Sequence, residues 1–201
     1  PNLSKNVIPM RPQHIWVRHI SHIEVEDSSA PNGYRFVFLT IVMDAYSKRI
    51  LGWCVAPTLE AAYSIKALEM AIKTLPKDFN DTLIHHSDRG TQYASAAYIK
   101  VQTDNNIIPS MTENGNPKDN AIAERINNTV KNELLHGMTF TNISQVKTTI
   151  RKAVEFYNAE RPHSSLDWLT PNEAHKKSGE LKKHWKSHRE NAIKKMKNIS
   201  I

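Results

Sequence analysis

The chain has 201 residues and a formal charge of +7, enough for one substantial hydrophobic core with an appended extension. Nothing approaches the roughly 18 to 20 consecutive apolar residues of a membrane span, and Pro1-Asn2-Leu3-Ser4-Lys5 lacks the basic-then-apolar layout of a signal peptide, so a soluble, cytoplasmic protein with no membrane partner is expected. A start at Pro rather than Met implies a processed or excised piece without its N-terminal portion.

The segment 14–23 alternates Ile15, Val17, His19, Ser21 and Ile23 against Trp16 and Ile20, the period of a strand. After the turn signal Pro31-Asn32-Gly33, the aromatic and β-branched run 34–44 predicts its hairpin partner, and 49–56 a third antiparallel strand. Lone Cys54 can form no internal disulfide; it reads as a small core residue, and a reducing compartment fits. Thr58 is the expected N-cap of a helix with Leu59, Ala62, Ile65, Leu68 and Ile72 on its apolar face, ending before Pro76. A strand at 82–86, a helix at 94–105 and a short apolar segment at Ile107-Ile108 follow, then a helix from Pro117 to about Leu135. The next helix starts at Asn142 and places Ile143, Val146, Ile150, Ala153, Val154 and Tyr157 together. Three strands followed by alternating strands and helices predict a mixed sheet flanked by helices. Residues 160–165 read as a turn-rich connection, and four tryptophans, Trp16, Trp53, Trp168 and Trp185, as packing groups, with Trp185 also placed to stack on a base or a partner.

Charge is concentrated at the end. Residues 176–201 hold nine Lys/Arg against Glu180 and Glu190, a surplus of seven that equals the charge of the whole chain. Such a tail is either a footprint for a polyanion, with Lys182, Lys183, Lys186 and Arg189 as candidate contacts, or a solvated helix. The division expected is a linker at 1–13, a core at 14–175 and the basic tail at 176–201.

Three acids fall where catalytic groups are commonly presented: Asp44 closing the second strand, Asp88 just after the fourth, and Glu124 in a helix. Asp88 sits in Ile84-His-His-Ser-Asp-Arg-Gly90, where a strand delivers a carboxylate into a Gly-containing turn; an Asx turn or helix cap is the plain alternative. Asn120, Glu124, Asn127/Asn128 and Lys131 share one helical face, which is either functional or simply solvated. The pair carries more than either member, because 35 residues (124 − 88 − 1) separate a strand-end carboxylate from a helical one behind a Gly/Asn/Pro-rich loop.

With these residues in view, the stretch from Trp16 to Ala174 resembles the catalytic domain of IS3-family transposases, relatives of retroviral integrases. Five ordered landmarks carry the resemblance: 15–20 (IWVRHI), 44–53 (DAYSKRILGW), 86–93 (HSDRGTQY), 115–124 (GNPKDNAIAE) and 157–166 (YNAERPHSSL), with Thr170-Pro171 beyond them. It implies an α/β, ribonuclease-H-like mixed five-stranded sheet flanked by helices and followed by the basic C-terminal tail. It also implies metal-dependent strand cleavage and strand transfer on DNA, with mobile-element ends and target DNA as partners and a homo-oligomer in the DNA complex. By the same resemblance, Asp88 and Glu124 are metal ligands of a two-ion Mg²⁺ or Mn²⁺ site, and Lys131, Asn120 and Asn128 lie near DNA.

The first aspartate of that family is absent: its position is His19. An imidazole offers one lone pair per protonation state, cannot bridge two cations as a carboxylate does, and suits softer metals than Mg²⁺. Severe loss of activity is therefore expected, whether in a decayed or domesticated copy or through an introduced histidine. Otherwise Asp44 or Glu24 would have to replace the missing acid; Glu24 stands an odd number of residues away, on the other face of a regular strand. A non-catalytic DNA-binding or oligomerisation module is the alternative function, and a ribonuclease-H-type nuclease a more distant one. His22 reads as a surface residue, and no Cys/His spacing indicates structural zinc.

Overall fold

The computed structural model describes residues 1–88, 95–112, 125–126, 128–185 and 188–199, the backbone alone at 188, 189 and 197–199. Five strands form one mixed sheet in the order β3-β2-β1-β4-β5. They are β1 (Ile15–Glu26), β2 (Tyr34–Asp44), β3 (Ile50–Ala56), β4 (Leu83–Ser87) and β5 (Ile107–Met111). The first three pair antiparallel, β4 joins β1 in parallel and β5 joins β4 in parallel, with a helix in the chain before each of them. Pro109, which cannot donate to a ladder, is accommodated because β5 is the edge strand.

β1 outlasts the alternation that marks it. It pairs with β2 from Trp16↔Asp44 to Glu26↔Tyr34, whereas β4 reaches it only at Ile15, Trp16 and Val17. Its far half is thus half of a two-stranded ribbon whose outward residues His22, Glu24 and Glu26 are exposed.

The sheet carries a core on each face. Trp16, Val42, Leu51, Leu83 and Ile107 meet α1 (Ala61–Ile72) and α2 (Ala96–Asp104) through Ala67, Leu68, Ala71 and Tyr98. On the other side Ile15, Val17, Ile23, Ile41, Met43 and Ile84 meet Ile126, Val130 and α3 (Ile143–Ala159). α3 buries Val146, Ile150, Ala153, Val154 and Tyr157, the expected stripe, behind an Asn142 cap that accepts from Gln145 N at 3.0 Å. Asn158 extends α3's hold on the sheet, its amide both accepting from and donating to the main chain of Ile50 at 2.9 Å.

α1 differs from its expectation. It begins at Ala61, and Thr58 does not cap it: the Thr58 hydroxyl donates to Glu60 instead, at 2.9 Å. Leu59 stays outside the helix and exposed, Ala62 is exposed, and the buried face is Ser64, Ala67, Leu68 and Ala71. Small residues win that face because α1 lies against Gly52 of β3.

The chain closes with a 3-10 turn at Ser164–Leu166, a short α4 (Pro171–Ala174) with a Thr170/Glu173 capping box and Pro in its first turn, and α5 (His188–Ile199). Ile193 of α5 is buried, and Lys194 bonds Glu180 at 2.6 Å. No helix among the described residues is long and apolar enough to cross a membrane.

Candidate active site

Strand register brings the first two candidate positions together. Ile84 and His86 pair with Ile15 and Val17 in parallel, so His19 of β1 and Asp88, the residue after β4, each stand two residues beyond the last matched pair. Continued one residue past the end of β4 at Ser87, the alternation would put Asp88 on the face that carries His19. Ile15, Val17 and Ile23 of β1 and Ile84 of β4 belong to the core under Ile126 and Val130, whereas Trp16 and Leu83 belong to the opposite one. Both His19 and Asp88 are half-buried. The Oδ1 of Asp88 is buried and accepts no hydrogen bond among the described residues; it is a hard oxygen donor of the kind a divalent cation takes.

β4 is anchored on both of its faces. His86, fully buried, shares a 2.9 Å hydrogen bond with Ser110 Oγ of β5. His85, on the other face, shares one of 2.8 Å with Tyr98 OH of α2, and burial pushes its imidazole well below the ordinary range, keeping it neutral. Arg18, next to His19, is also fully buried; its guanidinium lies 4.6 Å from the centre of the Tyr98 ring and so points away from the candidate site. Nothing in the strand pattern marked that burial.

Asp44 has a different part. It is fully buried, and its two oxygens accept from Gln13 N at 2.8 Å, Ser47 N at 2.7 Å and Ser47 Oγ at 2.8 Å. The Gln13 side chain accepts from Trp16 Nε1 at 2.7 Å and meets His175 Nε2 at 3.2 Å, while His175 Nδ1 meets Ser47 Oγ at 2.8 Å. Since the amide nitrogen of Gln13 can only donate, Nε2 of His175 accepts and Nδ1–H donates to Ser47. This fully engaged carboxylate, opposite Trp16 and three register positions from His19, ties the segment before β1 to the β2–β3 turn and, through Ser47 and His175, to the end of α4. Glu24 is exposed on the ribbon and does not share His19's face. His22 is exposed, its ring 4.8 Å from that of Phe36, as a surface residue should be.

Glu124 and Asn120 lie outside the described residues, as do Lys186 and the side chain of Arg189. Among the described residues no three His, Cys, Asp or Glu gather as a set able to hold a metal. The helix that follows Glu124 is described from Arg125 and ends in a π turn, Val130–Leu134, closed by Leu135 N donating to Val130 O at 3.0 Å. Asn128 and Lys131, expected on one face, open onto different hollows: Asn128 joins Arg125, Arg161 and His163, and Lys131 joins His22 and Glu24 of the ribbon. Lys182 is exposed, and Lys183 forms an ion pair with Glu190.

Residues 9–117 match the Integrase core domain family, and residues 105–171 match a second family model of the same description. The chain belongs to the integrase core domain family. Within it the chain is 31% identical over 173 residues to an uncharacterized 31 kDa protein of insertion element IS600 from Shigella sonnei, covering 85% of this chain and 60% of that one. It is 34% identical over 158 residues to a putative transposase of IS986/IS6110 from Mycobacterium tuberculosis, covering 76% and 54%. With the transposase InsF of IS3fB from Escherichia coli it shares 30% over 161 residues, covering 80% and 53%. This integrase core thus spans between about half and three fifths of the length of these relatives, and the IS3-family likeness carried by its five landmarks holds.

Solved structures place the fold with retroviral integrase catalytic cores, which are ribonuclease-H-like. The magnesium complex of the HTLV-2 integrase catalytic core, in its dimeric form, superposes with a TM-score of 0.63 at 20% identity over 85% of this chain and 100% of that one. A simian T-cell lymphotropic virus intasome bound to PP2A regulatory subunit B56 gamma gives 0.69 at 19% identity, over 90% and 62%.

Proposed function

We propose that this integrase core binds mobile-element DNA and descends from an enzyme of strand cleavage and strand transfer, with phosphoryl transfer severely reduced by the imidazole at position 19. The observation that carries the reading is the register of β1 and β4, whose last matched pair, Val17 and His86, stands two residues before His19 and Asp88, together with the buried Oδ1 of Asp88 that accepts no hydrogen bond among the described residues. In this reading residues 14–175 form the catalytic core, with 1–13 a linker and 176–201 a basic extension toward DNA.

Asp88 and Glu124 would hold a divalent ion, Mg²⁺ or Mn²⁺. Bound there, the ion supplies activation of the attacking oxygen and neutralisation of phosphoryl charge. Asp88 suits that task; His19 does not suit a bridge between two ions, having one lone pair per ring nitrogen and one negative charge fewer than aspartate. What the chain retains is positioning: Asn120, Asn128 and Lys131 beside the Glu124 helix turn, and Lys182, Lys183, Lys186 and Arg189 in the tail, contact phosphate and sugar without specifying sequence. Assembly on paired DNA ends as a homo-oligomer goes with the same reading; the dimeric and intasome states of the integrases it superposes on support it.

The test is strand cleavage and strand transfer on pre-cut element-end DNA with Mg²⁺ or Mn²⁺, comparing this chain with His19→Asp. Activity confined to the aspartate variant supports the proposal, and comparable activity in the unmodified chain overturns it. If both bind DNA and neither reacts, the chain is a binding and assembly module instead.

A further inference from the structure

The helical segment described from Arg125 and the segment 161–165 face each other across a cleft of about 720 Å³, lined also by Trp185 from the tail. Its walls are polar and cationic. Arg161 is fixed by Glu133, whose Oε2 accepts from Nε at 3.0 Å and from the terminal nitrogen NH2 at 2.7 Å, while the other terminal nitrogen lies 3.3 Å from the His163 ring. Glu133 in turn accepts from Thr129 Oγ1 at 3.4 Å, a contact made within the π turn's own helix. Opposite, the exposed Arg125 holds its guanidinium 5.1 Å from the centre of the Trp185 ring, which is 41% exposed. Asn128 and Asn132 line the remaining wall with amides.

We propose that this cleft holds an unpaired nucleotide of a DNA strand, its phosphate between Arg125 and Arg161 and its base on the open side of Trp185. The inference rests on the reading of the chain as a DNA-binding core. Three features select this occupant. The cleft has two guanidinium groups against one carboxylate, which is already engaged, so it favours an anion. Its volume suits a nucleotide-sized ligand, and an indole with amides around it offers a stacking surface that any base can use. A base inside a duplex is stacked on both faces by its neighbours, whereas an unpaired base has a free face for Trp185, so the occupant proposed is the unpaired one. Arg125 directly follows Glu124 in the chain.

The test is fluorescence anisotropy with a labelled single strand of about ten nucleotides and a blunt duplex of equal length, on the whole chain and three variants. Arg125→Ala and Trp185→Ala are expected to weaken single-strand binding at least about fivefold, with Trp185→Phe recovering most of it through its remaining π-face. Blunt-duplex binding should change less than about twofold, and Arg125→Ala should lower the log–log salt slope of single-strand binding by about 0.7, one phosphate contact. If the unmodified chain binds the single strand and Arg125→Ala and Trp185→Ala bind it equally well, the cleft is not the site; equal losses on the blunt duplex overturn the unpaired-base assignment. Failure of the unmodified chain to bind either DNA overturns the DNA-binding reading itself. Should Trp185→Ala not fold, the exposed Arg125→Ala decides the question alone.

Discussion

A β-carbon built on Gly52 would stand 2.0 Å from the carbonyl oxygen of Ala67, well inside contact distance. The same atom would meet Ala71 N at 2.8 Å, so a glycine is what lets α1 lie directly on β3. Backbone, unlike the end of a side chain, cannot swing aside. Gly52→Ala should therefore force α1 outward and cost at least about 1–3 kcal/mol, read as a lower midpoint in urea unfolding with an unchanged slope. An unchanged midpoint would show that the helix shifts at no cost.

How much of this was legible depended on how local the cause was. β2 could be read to the residue because a β-branched and aromatic run is bounded by a Gly33 turn and by Asp44. The start of α1 could not. Thr58 is the right residue type for a cap but gives its hydroxyl to Glu60, and Ala67 and Ala71 face the sheet where α1 lies on Gly52, fifteen and nineteen residues earlier in the chain. Alternation was enough to separate His19 from Glu24, and the register of β1 with β4, which ends at Val17 and His86, leaves His19 and Asp88 at equal distances along the chain from that pair. The partners of Asp44 are another matter: His175 lies 128 residues from Ser47, a separation that leaves no local trace. Arg161 and His163 read as a turn for the same reason, since Glu133 is 28 residues from Arg161.

Asp44 should behave as a structural strut. An asparagine there keeps one acceptor oxygen but turns an amide N–H₂ toward donors now held by a carboxylate, leaving at least one buried donor without a partner. Asp44→Asn is expected to cost about 2–3 kcal/mol and to lower the melting temperature by about 5–10 °C. Its metal affinity per folded molecule should match that of the unmodified chain. A selective loss of metal binding with an unchanged melting temperature would return Asp44 to the ligand set.

Acid should destabilise the fold through its histidines. Burial first, then the Arg161 charge, pushes His163 down to about 4, and burial lowers His85, His175 and His14 as well. Each group binds a proton more readily unfolded than folded, so stability is fully present above about pH 6.5 and falls as pH drops below it. The His163 contribution flattens near pH 4. Melting temperature measured between about pH 7.5 and 4.5 should fall continuously, and His163→Gln should reduce the slope by up to one proton's worth. A flat profile above about pH 5 would contradict the burial of these imidazoles.

The site itself yields a crossover. In the His19→Asp variant two carboxylates each stand two residues beyond the last matched pair of β1 and β4, the new one in place of the imidazole and that of Asp88 with an oxygen that accepts no hydrogen bond among the described residues. Without metal, their mutual repulsion in a half-buried setting should make the variant less stable than the unmodified chain by about 1 kcal/mol. With millimolar Mg²⁺ or Mn²⁺ the order should reverse, because an ion bound only by the folded state stabilises it by about 2.7 kcal/mol at a hundred times its dissociation constant. The unmodified chain, with an imidazole at position 19, should show a much smaller shift. Thermal melts of both proteins, in chelator and in metal, read all four states on one instrument. If the variant gains nothing from metal, Asp88 and position 19 do not share an ion. If the unmodified chain gains as much as the variant, the imidazole is an adequate ligand after all, and the reduced phosphoryl transfer proposed for this integrase core loses its physical cause.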